Sequence, residues 1–214
     1  MKIAIYGSNG TIGQRILQEA LQRGHTLTAI VRDPSRISAP SANINLVAGD
    51  VLDPSSMAEE VKEHDVVISA IGPKLPNGDP QIVVKAAHSL LEGVARAGVK
   101  RLIVVGGAGS LEVAPGVQLV DTPQFPEAWK PVALAARDAL NVFQTAQTTV
   151  DWTYLSPAAL IEPGERTGQY RTGTDQLLVD EKGESRISAE DYAVALLDEV
   201  ENPRHKRQRF TVAY

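Results

Sequence analysis

Met1-Lys-Ile-Ala-Ile-Tyr-Gly-Ser-Asn-Gly-Thr-Ile-Gly13 is the stretch that decides the fold. A short apolar run, Ile3, Ala4 and Ile5, leads straight into Gly7-x-x-Gly10-x-x-Gly13, and an apolar pattern at helical spacing follows at once. Strand, phosphate loop and helix start, in that order, open a dinucleotide-binding βαβ unit. Glycines let the chain turn tightly and let a pyrophosphate approach the backbone, and the third lets the helix pack on the strand. The free N–H groups and positive dipole end of that helix favour phosphate charge. The candidate contacts are therefore Gly7, Ser8, Asn9, Gly10, Thr11, Ile12 and Gly13. Three glycines spaced by pairs occur by chance; their place directly after the first strand gives the motif its weight.

Working outward, strands and helices alternate, which argues for an α/β fold with a doubly wound, mostly parallel sheet. Ile16, Leu17, Ala20 and Leu21 continue the first helix, and Gly24 stops it. Leu27–Val31, Ile44–Ala48, Val66–Ile71, Leu102–Val105 and Trp152–Leu155 read as buried strands, with Phe210–Tyr214 as the last. Ser55 or Ser56 caps a short helix, and Asp79-Pro80 opens a longer one running to Gly98. A proline-bearing stretch precedes a helix from Val132 to Gln147, and Ser188-x-x-Asp191 resembles a capping box for Tyr192 to Val200. Glu162 to Ser185 is polar and glycine-bearing, an irregular lobe over the strand ends. The economical organisation is one domain, 1–214, with 156–187 as a small C-terminal lobe on the substrate side.

Composition sets the outer limits. The chain has 214 residues, 43% of them hydrophobic, enough for one well-packed α/β domain. A formal charge of −5 argues against a nucleic-acid surface, which needs a basic face. No apolar run approaches bilayer length, and the N-terminal apolar residues are already used as a strand. Without cysteine there are no disulfides, thiolate chemistry or iron–sulfur ligands, and His25, His64, His88 and His205 are too scattered for a metal set. A cytoplasmic monomer or homodimer acting on small molecules, with no nucleic-acid or membrane partner, is the expectation.

Bound dinucleotides sit outside the carboxyl ends of parallel strands, so those ends carry the candidates. Arg32, just after the second strand, is placed to receive the 2′-phosphate of NADP, whereas an acidic residue there would suit the ribose hydroxyl of NAD. Asp33 follows immediately, and a solvated Arg–Asp pair at a helix entrance fits the same residues. NADP(H) is favoured over NAD(H). Asp50 and Val51, after the third strand, can reach the adenine edge; a helix-entry aspartate before Pro54 is the alternative. Ala70, Ile71 and Gly72 end the fourth strand on a path close to the cofactor, or simply in a turn with Pro73. Ser110 can offer a hydroxyl to a carbonyl near the nicotinamide, as the catalytic candidate, or serve as a turn residue; Pro157 faces the same ring through backbone groups.

With these residues in place, the chain resembles an atypical short-chain dehydrogenase. Pro157-Ala-Ala, Glu162-Pro-Gly-Glu-Arg-Thr-Gly168, Asp175-Gln-Leu-Leu-Val-Asp180, Gly183-Glu-Ser-Arg-Ile-Ser188, Asp191-Tyr-Ala193 and Arg209-Phe-Thr-Val212 make it similar to the NADH–flavin reductase family. The resemblance spans the chain. It implies a Rossmann fold, a nicotinamide cofactor, and kinship with flavin and biliverdin reductases.

One departure is informative. Short-chain dehydrogenases pair a catalytic tyrosine with a lysine four residues later; here Pro126 stands four residues before Lys130, and Tyr154 and Tyr170 have no matching lysine. Reduction of a flavin, quinone or similar planar acceptor asks less of the protein, because solvent can supply the proton. Flavin then enters as substrate, with Lys74 to Gly78 and the lobe shaping its site. A non-catalytic NAD(P) sensor that reports redox state to a partner suits the missing tyrosine equally well. A sugar-nucleotide epimerase suffers from that absence and from the small lobe.

Overall fold

The computed structural model describes residues 1–36, 43–74 and 76–214. The chain begins as expected, with β1 (Lys2–Tyr6), α1 (Thr11–Gln22) and β2 (Thr26–Val31). Then come β3 (Ile44–Ala48), α2 (Pro54–Val61), β4 (Val66–Ser69), α3 (Ile82–Arg96) and β5 (Arg101–Val105). A short hairpin, β6 (Glu112–Ala114) and β7 (Val117–Gln118), precedes α4 (Lys130–Thr145) and β8 (Asp151–Ser156). The C-terminal part supplies β9 (Leu160–Glu162), β10 (Arg171–Gly173), β11 (Arg186–Ser188), α5 (Ala189–Glu201) and β12 (Gln208–Ala213).

The main sheet runs β10-β12-β8-β5-β4-β1-β2-β3, parallel throughout except for β10 against β12. From β1 the chain winds outward to β2 and β3, then returns to β4 on the other side. The topological switch point therefore lies between β1 and β4, where a doubly wound Rossmann sheet opens its crevice. Ile3, Ile5, Ile68 and Ile103 pack with Ile16, Ala20, Tyr192 and Leu196 on the α1/α5 face. Ala4, Val67, Leu102 and Tyr154 pack with Met57, Leu90 and Phe143 on the opposite face, under α2, α3 and α4. Burial on both faces is why β1 and β4 read as continuous apolar runs rather than alternating ones.

Several boundaries differ from the sequence reading for local reasons. Asp53, not Ser55 or Ser56, caps α2: its carboxylate accepts both serine N–H groups, and Pro54 takes the first helical position. β4 stops at Ser69, although Ala70 still donates to the Tyr6 carbonyl. Asp79 accepts Gln81 N–H at 2.9 Å in a turn, and the helix begins only at Ile82. Only half of the Ser188 box forms: its hydroxyl accepts Asp191 N–H at 2.9 Å, but Ser188 N–H donates to the Tyr214 hydroxyl, because the Asp191 carboxylate is taken by Thr167, Gly168 and Tyr214. The polar C-terminal segment is more ordered than expected, because β10 extends the main sheet and β9 and β11 pair beside it.

Candidate functional site

Because β1, β2, β3, β4, β5 and β8 run in one direction, the segments leaving them emerge along a single rim. Those segments start with Gly7, Arg32, Gly49-Asp50, Ala70 to Gly72, Gly106 to Ser110, and Pro157. The structure thus brings every residue singled out from sequence to one edge of the sheet, spread over the strand ends on both sides of the switch point.

The glycine loop has the geometry its spacing implied. Gly7 adopts φ +79°, and a Cβ there would lie 2.5 Å from the Ala70 carbonyl oxygen, so β1 and the end of β4 approach without side chains between them. A Cβ on Gly13 would lie 2.0 Å from the Gly7 carbonyl oxygen, which fixes how closely α1 returns over the loop. Asn9, Gly10 and Thr11 are exposed while Ser8, Ile12 and Gly13 are buried or half-buried. Gly10 precedes α1 with no side-chain cap, and the first turn carries no acidic residue. Elsewhere Asp53 caps α2, and Ser188, Glu190 and Asp191 occupy the start of α5. The first turn of α1 keeps its N–H groups and dipole available for an outside anion. A pyrophosphate fits this cradle, since Gly10 brings no side-chain cap to the start of α1 and the first turn carries no acidic residue to repel the charge.

Around the loop the remaining positions are varied. Arg32 is exposed, while Asp33 turns into the next segment and accepts Ser35 N–H at 3.1 Å and Ser35 Oγ at 2.5 Å. Asp50 is exposed and its carboxylate accepts Leu52 N–H at 3.0 Å, with Val51 buried beneath. Ala70 and Ile71 are half-buried and Gly72 is exposed. Residue 75, within the 74–78 loop expected to shape the acceptor site, lies outside the described residues. Pro157 is buried behind the end of β8.

Ser110 is buried, and its Oγ accepts a hydrogen bond from Arg209 Nη1 at 3.2 Å. The same guanidinium donates to Asp175 Oδ1 through Nε at 2.9 Å and Nη2 at 2.5 Å. Neither Arg209 nor Asp175 was singled out as a site residue, because Arg209 stands 99 positions from Ser110 and only the fold joins them. The available signal was an arginine immediately before the apolar run Phe210–Tyr214, which demands a partner when the strand buries it.

All five tyrosine hydroxyls are engaged by the fold. Tyr6 donates to Glu60 at 2.6 Å, Tyr154 to the Ala136 carbonyl at 2.8 Å and Tyr192 to the Leu155 carbonyl at 2.6 Å. Tyr170 donates to Asp198, and Tyr214 reaches Asp191 at 2.7 Å. Burial pushes every one of them above the ordinary tyrosine value, and Glu60 and Asp198 add to this for Tyr6 and Tyr170. A catalytic tyrosine needs the opposite shift. The helix α4, which begins at Lys130, contains no tyrosine.

The C-terminal segment is fastened to the α1/α5 layer. Arg166 grips Glu19, Arg15 pairs with Glu190 at 3.0 Å, and Glu190 also accepts Gly164 N–H at 2.7 Å. Asp191, fully buried, accepts Thr167 N–H, Gly168 N–H and the Thr167 and Tyr214 hydroxyls. No helix among the described residues is long and apolar enough to cross a membrane.

Comparison with known proteins follows the same line. The chain is 43% identical over 215 residues to the uncharacterized protein YwnB of Bacillus subtilis, covering 99% of this chain and 98% of that one. A solved structure from Burkholderia pseudomallei, provisionally described as an exported protein, is 54% identical with a TM-score of 0.91, each chain covered in full. A structure from Streptococcus pneumoniae TIGR4, provisionally described as an NADH-flavin reductase, is 35% identical with a TM-score of 0.88, covering 100% of this chain and 99% of that one. The NAD(P)H-binding family model matches residues 7–203, from the first loop glycine to beyond α5. The chain is a member of the NAD(P)H-binding family, with a Rossmann fold.

Proposed function

We propose that this protein is an NADPH-dependent reductase that delivers hydride to a flavin, quinone or similar planar acceptor. The observation that carries the reading is the engagement of all five tyrosine hydroxyls, each held above its ordinary pKa by burial. Interconverting an alcohol and a ketone needs a positioned proton donor, whereas solvent suffices for a reduced flavin or quinone. The provisional name of the Streptococcus relative supports the same acceptor class.

When bound, the cofactor supplies the hydride from its nicotinamide ring. The chain's own part is placement. Gly7 to Gly13 and the uncapped start of α1 hold the pyrophosphate. Arg32 receives the 2′-phosphate, a role supported by its exposure and by the turn that occupies Asp33. Asp50 and Val51 border the adenine, and Ala70, Ile71, Gly72 and Pro157 line the path to the nicotinamide. Ser110 offers its hydroxyl to the acceptor's carbonyl, and the loop after β4 and the lobe of residues 156–187 flank that site.

Incubating the purified protein with NADPH and FMN tests the reading. NADPH oxidation above the protein-free rate is expected. Tight NADPH binding with no turnover on FMN, quinones or aldehydes would overturn it in favour of a redox sensor.

A further inference from the structure

The Arg209 guanidinium holds Ser110 in a particular way. Arg209 can only donate, so the Ser110 oxygen is an acceptor in this pair and its own proton points elsewhere. Among the described residues that proton has no acceptor, although Ser110 is only 4% exposed. A hydroxyl whose oxygen is gripped by a cation becomes a stronger donor, because the charge draws electron density from the O–H bond. Asp175 in turn fixes Arg209. It takes Nε and Nη2 on one carboxylate oxygen, leaving Nη1 for the serine, and partly neutralises a guanidinium side chain only 6% exposed.

Asp175 belongs to the C-terminal lobe, and its backbone is held as well. Glu112 N–H donates to the Asp175 carbonyl at 2.8 Å, and Leu177 N–H donates back to the Glu112 carbonyl at 2.8 Å. Segment 175–177 therefore lies ladder-like along β6, just beyond Ser110. Three distant stretches of chain are thus joined through one guanidinium: the loop after β5, the strand β12 and the lobe.

We propose that Arg209 is a positioning residue, which with Asp175 orients Ser110 to donate a hydrogen bond to the carbonyl of a planar acceptor. The inference rests on the reductase reading above and deepens it. It makes the lobe part of the acceptor site through Asp175, and it assigns the acceptor a carbonyl beside its reducible ring.

Equilibrium binding of FMN to the NADP+-loaded protein, followed by flavin fluorescence, reads the hydroxyl without requiring turnover. Wild type, S110A, R209M, R209K, D175N and the S110A/R209M double variant are compared, with thermal melts to confirm folding. S110A and R209M should each weaken FMN about tenfold while leaving NADP+ affinity unchanged. The double variant should be no weaker than S110A alone, and R209K should recover part of the loss. R209K and D175N carry the comparison where R209M does not fold. If S110A weakens FMN but R209 variants do not, or the two losses multiply, the positioning role falls and the hydroxyl's role stands. If S110A binds FMN like wild type, both fall. If the wild type neither binds nor reduces FMN or menadione, the reductase reading itself falls and this inference with it.

Discussion

The buried carboxylate of Glu19 in α1 accepts both arms of the Arg166 fork, Nε at 2.7 Å on one oxygen and Nη2 at 2.8 Å on the other. Arg23 Nε donates to Glu19 Oε1 at 2.8 Å, so one acid serves two arginines far apart in the chain. Glu19 is 4% exposed and Arg166 about half exposed. Removing the acid takes a partner from both arginines, leaving Arg166 unpaired among the described residues and Arg23 with Asp198 and Glu201, whereas removing Arg166 leaves Glu19 still paired with Arg23. E19A should therefore cost about 3 kcal/mol and R166A about 1 kcal/mol. In melts that is roughly 6–12 °C against 2–4 °C for a chain this size. Equal losses in calorimetry would show that Arg166 is as essential to the pair as Glu19.

Acid should loosen the same layer. For Asp191 burial pushes the carboxyl up, but hydrogen bonds from Thr167, Tyr214 and Gly168 outweigh it and hold the net value below the ordinary aspartate range. Glu19 is likewise lowered, chiefly by Arg166. A carboxylate depressed in the folded state stabilises above its unfolded pKa, about 3.9 for aspartate, and that contribution disappears as pH falls through the folded value. D191N should be less stable than wild type at neutral pH, with the gap narrowing toward acid. Urea midpoints across the acid range check this; a gap that widens toward acid would contradict it.

Ser156 ends β8 fully buried, and among the described residues its hydroxyl has no partner. Losing a buried hydroxyl without partners removes a desolvation cost and no bond. S156A should melt within about 2 °C of wild type or slightly higher. A fall of more than about 5 °C would mean that the hydroxyl is bonded in solution.

The glycine loop separates folding from binding. A Cβ at position 10 meets nothing closer than the Gly7 carbonyl oxygen at 3.4 Å, but at position 13 it meets that oxygen at 2.0 Å. G10A should fold normally and bind NADPH at least about tenfold more weakly, because the methyl intrudes on the pyrophosphate. G13A should lose stability as well as binding. Normal NADPH affinity in G10A would remove the loop from the cofactor site.

Much of this was legible in the sequence, and the reasons are local. Ile3 to Ile5, the glycines and the apolar stripe of α1 are contiguous, so spacing alone exposed the strand, the loop and the helix. The Ser188 cap is equally local, since donor and acceptor stand three residues apart. Asp53 was passed over for the serines beside it, although Pro54 marks the first turn and so points to the residue before it. What sequence could not reveal joins distant positions: Arg166 to Glu19 across 147 residues, Arg209 to Ser110 across 99. β10 escaped notice because three residues are too few for any periodicity, and its pairing with β12 is long-range. The hydrogen-bonded state of each tyrosine was likewise a property of the fold.

Arg32 tests the choice of cofactor. Replacing it by alanine removes a charge-assisted contact to the 2′-phosphate, which NADH lacks. R32A should weaken NADPH about tenfold to a hundredfold and leave NADH within about twofold. Equal losses for the two cofactors, measured by titration, would remove Arg32 from that role.

Anaerobic mixing of the wild-type protein with NADPH and FMN bears most directly on the central claim. Bleaching of the flavin in step with loss of the reduced nicotinamide absorbance, one for one and saturating in NADPH, is the predicted result. A protein that binds NADPH yet leaves FMN, menadione and other planar acceptors oxidised would contradict it.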